Sequence, residues 1–482
     1  MTDLPLGWEW AALGDIAETT LGKMLDRKKG TGRHPVPYLR NINVQWGRVD
    51  LDDVLTMDIP PDEQEFFKLR PGDLLVCEGG EIGRCAVWQG SISYMAFQKA
   101  LHRVRPQGGI SAIYLRYLLE NLYFRESLLP YATGSTIKHI PQQQLRCLPI
   151  PIPPLNEQRR IVAALEDRIL RIDRAKEDLA RSLKRLEVLR KRVIVEAVPI
   201  PGPTEWDLVS VGDAGSVDLG RQRHPDWHTG SDMRPYLRVA NVFEDRIDLR
   251  DVMQMNFPPV VFERFRLKEG DILLNEGQSP EYLGRPAMYR GDPEEVAFTN
   301  SLLRFRARPD VYPEWALLVF RRHMHAKRFV KEVRITTNLA HLSAGRLKSV
   351  EFPIPPMDEQ KRIVGEVRES LSLVSRMDAA IRTAMKRSDY LRQALLREAF
   401  AGRLVPQDPA DEPASELLAR IRAERAAQAK PQRARRTKAA RPPVADPTGS
   451  PAVPLAEPQT AGRTEWPDAS RTPTTYEQGE LL

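Results

Sequence analysis

Lys23, Arg27, Lys28, Lys29 and Arg33 crowd a short glycine-containing stretch, and Arg221, Arg223 and His224 occupy the corresponding place in a second, similar stretch. Clusters of this kind neutralise phosphates, which gives affinity for a nucleic-acid backbone but carries no sequence information. Reading base edges takes side chains that offer paired donors or acceptors, chiefly Arg, Lys, Asn and Gln. Arg40 and Asn43, matched by Arg238 and Asn241, have that chemistry. If the two stretches serve different sequences, residues they share discriminate poorly between bases, so backbone positioning or folding is the favoured role for these four. Better readers lie where the two stretches differ, at Lys99 against Asn300 and Lys138 against Leu339.

Other chemistry finds little support. No GxxxxGK[ST] loop is present for ATP, and no (N/D)PP(Y/F) tetrapeptide for base methylation. Glu359-Gln360-Lys361 has the E-x-K form of a nuclease motif. Its copy is Glu157-Gln158-Arg159, and both triplets fall at expected helix starts, where capping explains them better. His323 and His325, two apart on an expected helix, face away from each other and make a poor metal pair. Cys77, Cys85 and Cys147 form no CxxC pair and have no counterparts in the second stretch, which argues against a disulfide framework or a zinc site.

The elements that position these residues come twice. "GWEWAALGD" at Gly7 is answered by "TEWDLVSVGD" at Thr204, "YLRNINVQWGRVDLDDVLTM" at Tyr38 by "YLRVANVFEDRIDLRDVMQM" at Tyr236, and "LRPGDLLVCEG" at Leu69 by "LKEGDILLNEG" at Leu267. An insertion near Ser279 shifts the match, which then resumes with Phe97 over Phe298 and His139 over His341. "PIPPLNEQRRIV" at Pro151 returns as "PIPPMDEQKRIV" at Pro353. Order and spacing preserved in this way mean two copies of one unit of about 200 residues.

Each unit begins as mixed α and β. "GDLLV" and "GDILL" suit buried strands, and "AIYLRYLLENLYF" and "EWALLVFRRHMHAKRF" have helical spacing, with Tyr114, Tyr117 and Trp315 as core aromatics. Prolines 149, 151, 153 and 154 predict an extended, unpaired connector, with Asn156 or Asp358 capping the next element. That element is a long helix with one apolar seam: Ile161, Leu165, Ile169, Ile172, Leu179, Leu183, Leu189 and Val193. The second copy runs Ile363, Val367, Leu371, Val374, Ile381, Met385, Leu391 and Leu395. Two such seams bury each other best as an antiparallel coiled coil.

The expected fold class is therefore α+β. Mixed α/β domains at 1–150 and 201–352 alternate with connectors and long helices at 151–200 and 353–405. Residues 406–482 form a short helix and a disordered tail rich in Pro, Ala and Arg. Lys and Arg exceed Asp and Glu, 72 against 65, a tilt compatible with nucleic acid but equally with ordinary solvated charge. With no apolar signal stretch or membrane-length run, the expected location is cytoplasmic.

"TGSTIKHIPQQQLRCLPIPIPPLNEQRRIV", "TTNLAHLSAGRLKSVEFPIPPMDEQKRIV" and the ending "LRQALLREAFAGRLVPQDPADEPASELL" resemble the junctions and ending of specificity subunits of type I restriction-modification systems. The resemblance runs from about Leu4 to Gln428. It departs from the family's Gly-Ser-Thr at the second junction, which has Thr336-Thr337-Asn338 where the first has Gly134-Ser135-Thr136. It implies two target-recognition domains, each reading one part of a split sequence in double-stranded DNA, and no catalysis in this chain. It also implies two methyltransferase subunits and two restriction subunits as partners, with S-adenosylmethionine, ATP and Mg in those partners and no membrane. Ser135, Thr136, Thr336, Thr337 and Asn338 join Lys138 and the other DNA-contact candidates on this basis. The duplicated helix starts, with Pro154, Glu157 and Gln158 matched by Pro356, Glu359 and Gln360, become candidate docking residues. The competing readings are a coiled-coil scaffold that reads no sequence and the specificity subunit of a methylation-only system.

Overall fold

The two Gly-Asp turns do more than launch strands. Asp73 and Asp271 are each 1% exposed. Each accepts a backbone N–H, from Arg70 (2.7 Å) or Lys268 (2.8 Å), and a two-pronged guanidinium, Arg105 (2.6 and 2.8 Å) or Arg306 (2.6 and 2.7 Å). A carboxylate so buried is tolerated because it is fully paired. In this computed structural model, which describes residues 4–25, 32–332 and 340–428, the strands these turns begin lie inside four-stranded antiparallel sheets. The first sheet runs Ala17–Leu21, Leu101–Pro106, Leu74–Cys77, Cys85–Val87, and the second runs Gly215–Leu219, Leu302–Ala307, Ile272–Asn275, Pro286–Met288. A three-stranded sheet accompanies each, Leu55–Asp58, Pro35–Leu39 and Ala96–Phe97, or Met253–Asn256, Met233–Leu237 and Ala297–Phe298.

Helices Ala112–Phe124 and Pro313–His325 join these sheets to the long helices. Tyr114, Tyr117 and Trp315 are buried in the core, as the sequence predicts. Their polar tips explain the pairing of unlike aromatics at one place in the repeat. The Tyr114 hydroxyl donates to the carbonyl of Pro151 (2.7 Å), and the Trp315 indole donates to that of Pro353 (2.9 Å). Each aromatic thus ties its domain to its connector.

The connectors themselves correct the sequence reading. Pro149–Ile152 pairs antiparallel with Glu9–Ala12, and Glu351–Ile354 with Asp207–Ser210. Only alternate residues of an antiparallel strand turn their N–H toward the partner, so Pro149, Pro151 and Pro353 sit where no donor is required. The expected caps are also displaced. Pro154 and Pro356 precede the helices Leu155–Ala197 and Met357–Phe400, and no side chain caps either. Asn156 lies inside the first turn and donates to Asp411 instead (3.1 Å).

The long helices have 43 and 44 residues, each roughly 65 Å long, and they run antiparallel. Lys176 pairs with Asp389. Three residues back on the first helix, Asp173 meets Arg392 (3.1 Å), three residues forward on the second. Fourteen forward on the first, Arg190 meets Ser375 (2.9 Å), fourteen back on the second. Each helix starts in its own domain's core and ends in the other's. Ile161, Leu165 and Ile169 share a cluster with Leu396 and Ala399, and Ile363, Val364 and Val367 share one with Ile194. The predicted seam slips near the helix ends: Leu189 and Leu391 face outward, at 41% and 52% exposed, while Leu186, Ile194 and Leu396 are buried and Val193 and Leu395 pack half-buried against the opposite cores. A helix with 3.6 residues per turn drifts off a strict seven-residue repeat, and its last turns meet the opposite domain's core as well as the partner helix.

The helix Ala414–Gln428 breaks the symmetry. Ala414, Leu417, Leu418 and Ile421 enter the first domain's core, and Ala414 N–H donates to Gly7 (2.9 Å). Residues 429–482, with the predicted tail, lie outside the described residues.

Candidate nucleic-acid interface

A Cβ on Gly22 or Gly220 would lie 2.3 Å from the carbonyl oxygen of Phe97 or Thr299, so only glycine lets the strand end lie against the neighbouring turn. This approach builds the same edge twice. Lys23 N–H donates to Phe97 (2.9 Å) and Lys99 N–H to Lys23 (3.0 Å); in the second domain Arg221 donates to Phe298 (3.1 Å) and Asn300 to Arg221 (2.9 Å). The edge continues through Glu78 N–H to Ala100 (3.0 Å) and Ile140 N–H to Glu78 (2.8 Å), matched by Glu276 to Ser301 (3.0 Å) and Leu342 to Glu276 (2.7 Å). Beyond it, reciprocal bonds between Thr133 and His139 (2.7 and 2.9 Å) close the loop 134–138. Gly134, at φ +95°, is required there because a Cβ would press 2.3 Å from the Ile137 carbonyl oxygen.

Backbone pairing thus gathers Lys23, Lys99, Ser135, Thr136 and Lys138 from three distant stretches onto one edge, and Arg221 with Asn300 onto the other. Lys99, Ser135, Thr136, Lys138, Arg223 and Asn300 are exposed, as is Arg33 near the start of its strand. Lys23 is half-buried and engaged by Glu63. Arg221 donates to the Asn256 carbonyl and stacks on Trp227 (3.9 Å), and burial pulls its pKa below the usual guanidinium value. Arg27, Lys28, Lys29, Thr336, Thr337, Asn338 and Leu339 lie outside the described residues.

Asn43 and Asn241 are committed to folding, as their duplication suggested. Each accepts the N–H of Arg40 or Arg238 (2.9 and 3.0 Å) and donates to two carbonyls, Asp50 and Asp53 or Asp248 and Asp251. Both are 2% exposed. They leave the set of base-reading candidates because no part of the amide is free. Arg40 and Arg238 pair with Asp53 and Asp251.

The helix-start residues show the same division. Glu157 and Glu359 accept the indole N–H of Trp8 and Trp206 (3.0 and 3.1 Å). Gln158 accepts from Ser111 N–H (3.1 Å) and donates to Pro153 (3.0 Å); Gln360 accepts from Tyr312 N–H (2.7 Å) and donates to Pro355 (2.8 Å) and Asp310 (3.0 Å). Burial lifts the Glu157 carboxyl above its ordinary pKa, against the pull of Trp8 and Arg160. Pro154, Glu157, Gln158 and Gln360 are buried, Glu359 is half-buried and Pro356 is exposed. The buried side chains serve the junction inside the chain, which corrects their reading as a docking surface and the capping role given to Glu157.

Sequence reasoning missed Asn41. Its amide donates to Gly79 (2.8 Å) and accepts from Arg84 (2.7 Å), pinning the turn after Pro35–Leu39 to the interface edge. Val239 stands in its place in the second copy, and that difference was the available signal. His323 and His325 turn apart as expected. His323 hydrogen-bonds the Glu351 carbonyl and His325 the Glu244 carboxylate (2.9 Å each), and burial, with Arg322 beside it, pushes His323 down to about 4. No helix among the described residues is long and apolar enough to cross a membrane.

A family model described as the type I restriction modification DNA specificity domain matches residues 5–182 and 205–366, one match per copy. The specificity subunit of the type I restriction enzyme EcoKI from Escherichia coli strain K12 is 23% identical over 453 residues, covering 88% of this chain and 97% of that protein. That of StySPI from Salmonella potsdam is 24% identical over 455 residues, covering 88% and 96%. Among solved structures, a chain described under complex assembly and conformational transition of the type I R-M system has a TM-score of 0.66 at 19% identity, covering 84% of this chain and 100% of that one. The HsdS subunit of Thermoanaerobacter tengcongensis has a TM-score of 0.55 at 19% identity, covering 83% and 98%. With its family match, its repeated domains and its two long helices, this chain belongs to the family of type I restriction-modification specificity subunits.

Proposed function

We propose that this chain reads a two-part target in double-stranded DNA, one part with each recognition domain, and carries the subunits that do the chemistry. One observation carries the reading: two copies of one domain are attached to the opposite starts of an antiparallel helix pair, and so are related by an approximate twofold axis. A DNA duplex has the same symmetry, so two equivalent edges can meet two stretches of groove with an unread gap between them. Two methyltransferase subunits dock on the duplicated exterior of the junctions and helices. In support, Leu189 and Leu391 stand exposed at equivalent places on the two helices, as do Val188 and Tyr390. Two restriction subunits complete the complex. S-adenosylmethionine, ATP and Mg belong to those partners. Selection from a random duplex library by the complex of this chain with its methyltransferase subunits tests the reading. The expected product is two short specified sequences at a fixed separation; enrichment of no sequence would instead favour a scaffold.

A further inference from the structure

Lys99 and Asn300 occupy one position of the repeated edge and are held there by the same set of backbone bonds. The residue before each donates to the end of the neighbouring parallel strand, Gln98 to Leu39 (2.9 Å) and Thr299 to Leu237 (3.1 Å). Each then donates to the first basic residue of its domain, Lys23 (3.0 Å) or Arg221 (2.9 Å), and the residue after each accepts from Glu78 or Glu276 (3.0 Å in both). The turn closes identically, with Leu101 N–H on Gln98 and Leu302 N–H on Thr299 (2.9 Å each). Two main chains fixed this alike present two different head groups.

Of the polar residues at the strand ends, Lys23 is occupied by Glu63, Arg221 by Asn256 and Trp227, Arg40 and Arg238 by aspartates, and Asn43 and Asn241 by backbone; Ser135, Thr136 and Lys138 stay exposed beside Lys99, but they lie on a loop whose counterpart in the second domain is outside the described residues. Lys99 and Asn300 are both exposed, and neither side chain makes a hydrogen bond or ion pair with a described residue. Lys matches the O6 and N7 acceptors of guanine, whereas Asn matches the N6 donor and N7 acceptor of adenine. We infer that this position is a base-discriminating position of both domains, with Lys99 selecting guanine in one half of the target and Asn300 selecting adenine in the other. The inference rests on the two-part reading proposed above and adds which residue reads which base.

Reciprocal substitutions test it, using the complex of the full chain with its methyltransferase subunits and a random duplex library. Lys99→Ala relaxes one guanine in one half-site, lowering discrimination there by roughly 5- to 150-fold, and leaves the other half-site unchanged. Asn300→Ala relaxes one adenine in the opposite half, and Lys99→Asn moves preference from guanine toward adenine at the affected pair. Melting temperatures of the variants, expected to match the parent because both side chains are solvent-facing, exclude misfolding. Uniform weakening on all duplexes, with the salt dependence reduced by about one counterion, would make both residues phosphate contacts and overturn the inference. So would unchanged preferences. If the unsubstituted complex selects no sequence, the two-part reading itself fails and this inference falls with it, an outcome visible before any variant is made.

Discussion

Gln158 and Gln360 show how a residue's chemistry misleads when its surroundings are unknown. An exposed glutamine beside a proline connector, duplicated in two copies, reads as a contact for another protein. Each is instead enclosed, with its oxygen on the first N–H of the domain helix region and its nitrogen on the connector carbonyl. Replacing Gln158 with Ala leaves Ser111 N–H and the Pro153 carbonyl unsatisfied inside the protein, which costs about 1–3 kcal/mol. Denaturant unfolding of this chain without partners should show that loss. A variant as stable as the parent but unable to hold a methyltransferase subunit would restore Gln158 to a docking role. The polar residues at 43 and 241 were legible as structural because they repeat across domains that differ elsewhere. Burial at 157, 158 and 360 was not, because it depends on Trp8, Ser111 and Tyr312, which are distant in sequence.

Among elements, the long helices were the most legible, because a narrow apolar stripe repeated over forty residues has few solutions other than a partner helix. Their ends were not, since the sequence cannot say that the last turns also enter the opposite domain's core. That arrangement governs how the spacing between domains can change. With Ile194 held in one core and Leu396 in the other, lengthening one helix alone strains both anchors. Matched insertions should be accommodated. The register that sets Lys176 against Asp389 sets Arg181 against Ala384, so four residues added after Arg181 and four after Thr383 enlarge the pair near its centre. Four residues add about 6 Å, close to two base pairs. The doubly inserted chain should select the same two short sequences with a gap longer by one or two pairs, while either single insertion should lower the melting temperature. Selection of the original gap by a stable double variant would show that the helices do not set the spacing.

At the scale of the whole molecule, the repeat, the α+β class and the antiparallel helices could be read from sequence, since all three follow from periodicity and duplication. The asymmetry could not. Helix Ala414–Gln428 closes on the first domain through Leu417, Leu418 and Ile421, and the second domain has no equivalent cover among the described residues. The sequence marks that segment as a short helix but does not name the surface it meets. The division of reading between domains is the central claim, and exchanging most of one domain tests it directly. Residues 17–110 carry the sheets and the Lys99 edge, while Trp8, the helix Ala112–Phe124 and the connector, which hold the domain to the long helices, stay in place. The chimaera, carrying the same segment from a specificity subunit of different target and assembled with its methyltransferase subunits, is put through duplex selection beside the parent. One half of the selected site should change, with the other half and the gap preserved; a site altered in both halves, or left intact, would contradict separate reading by the two domains.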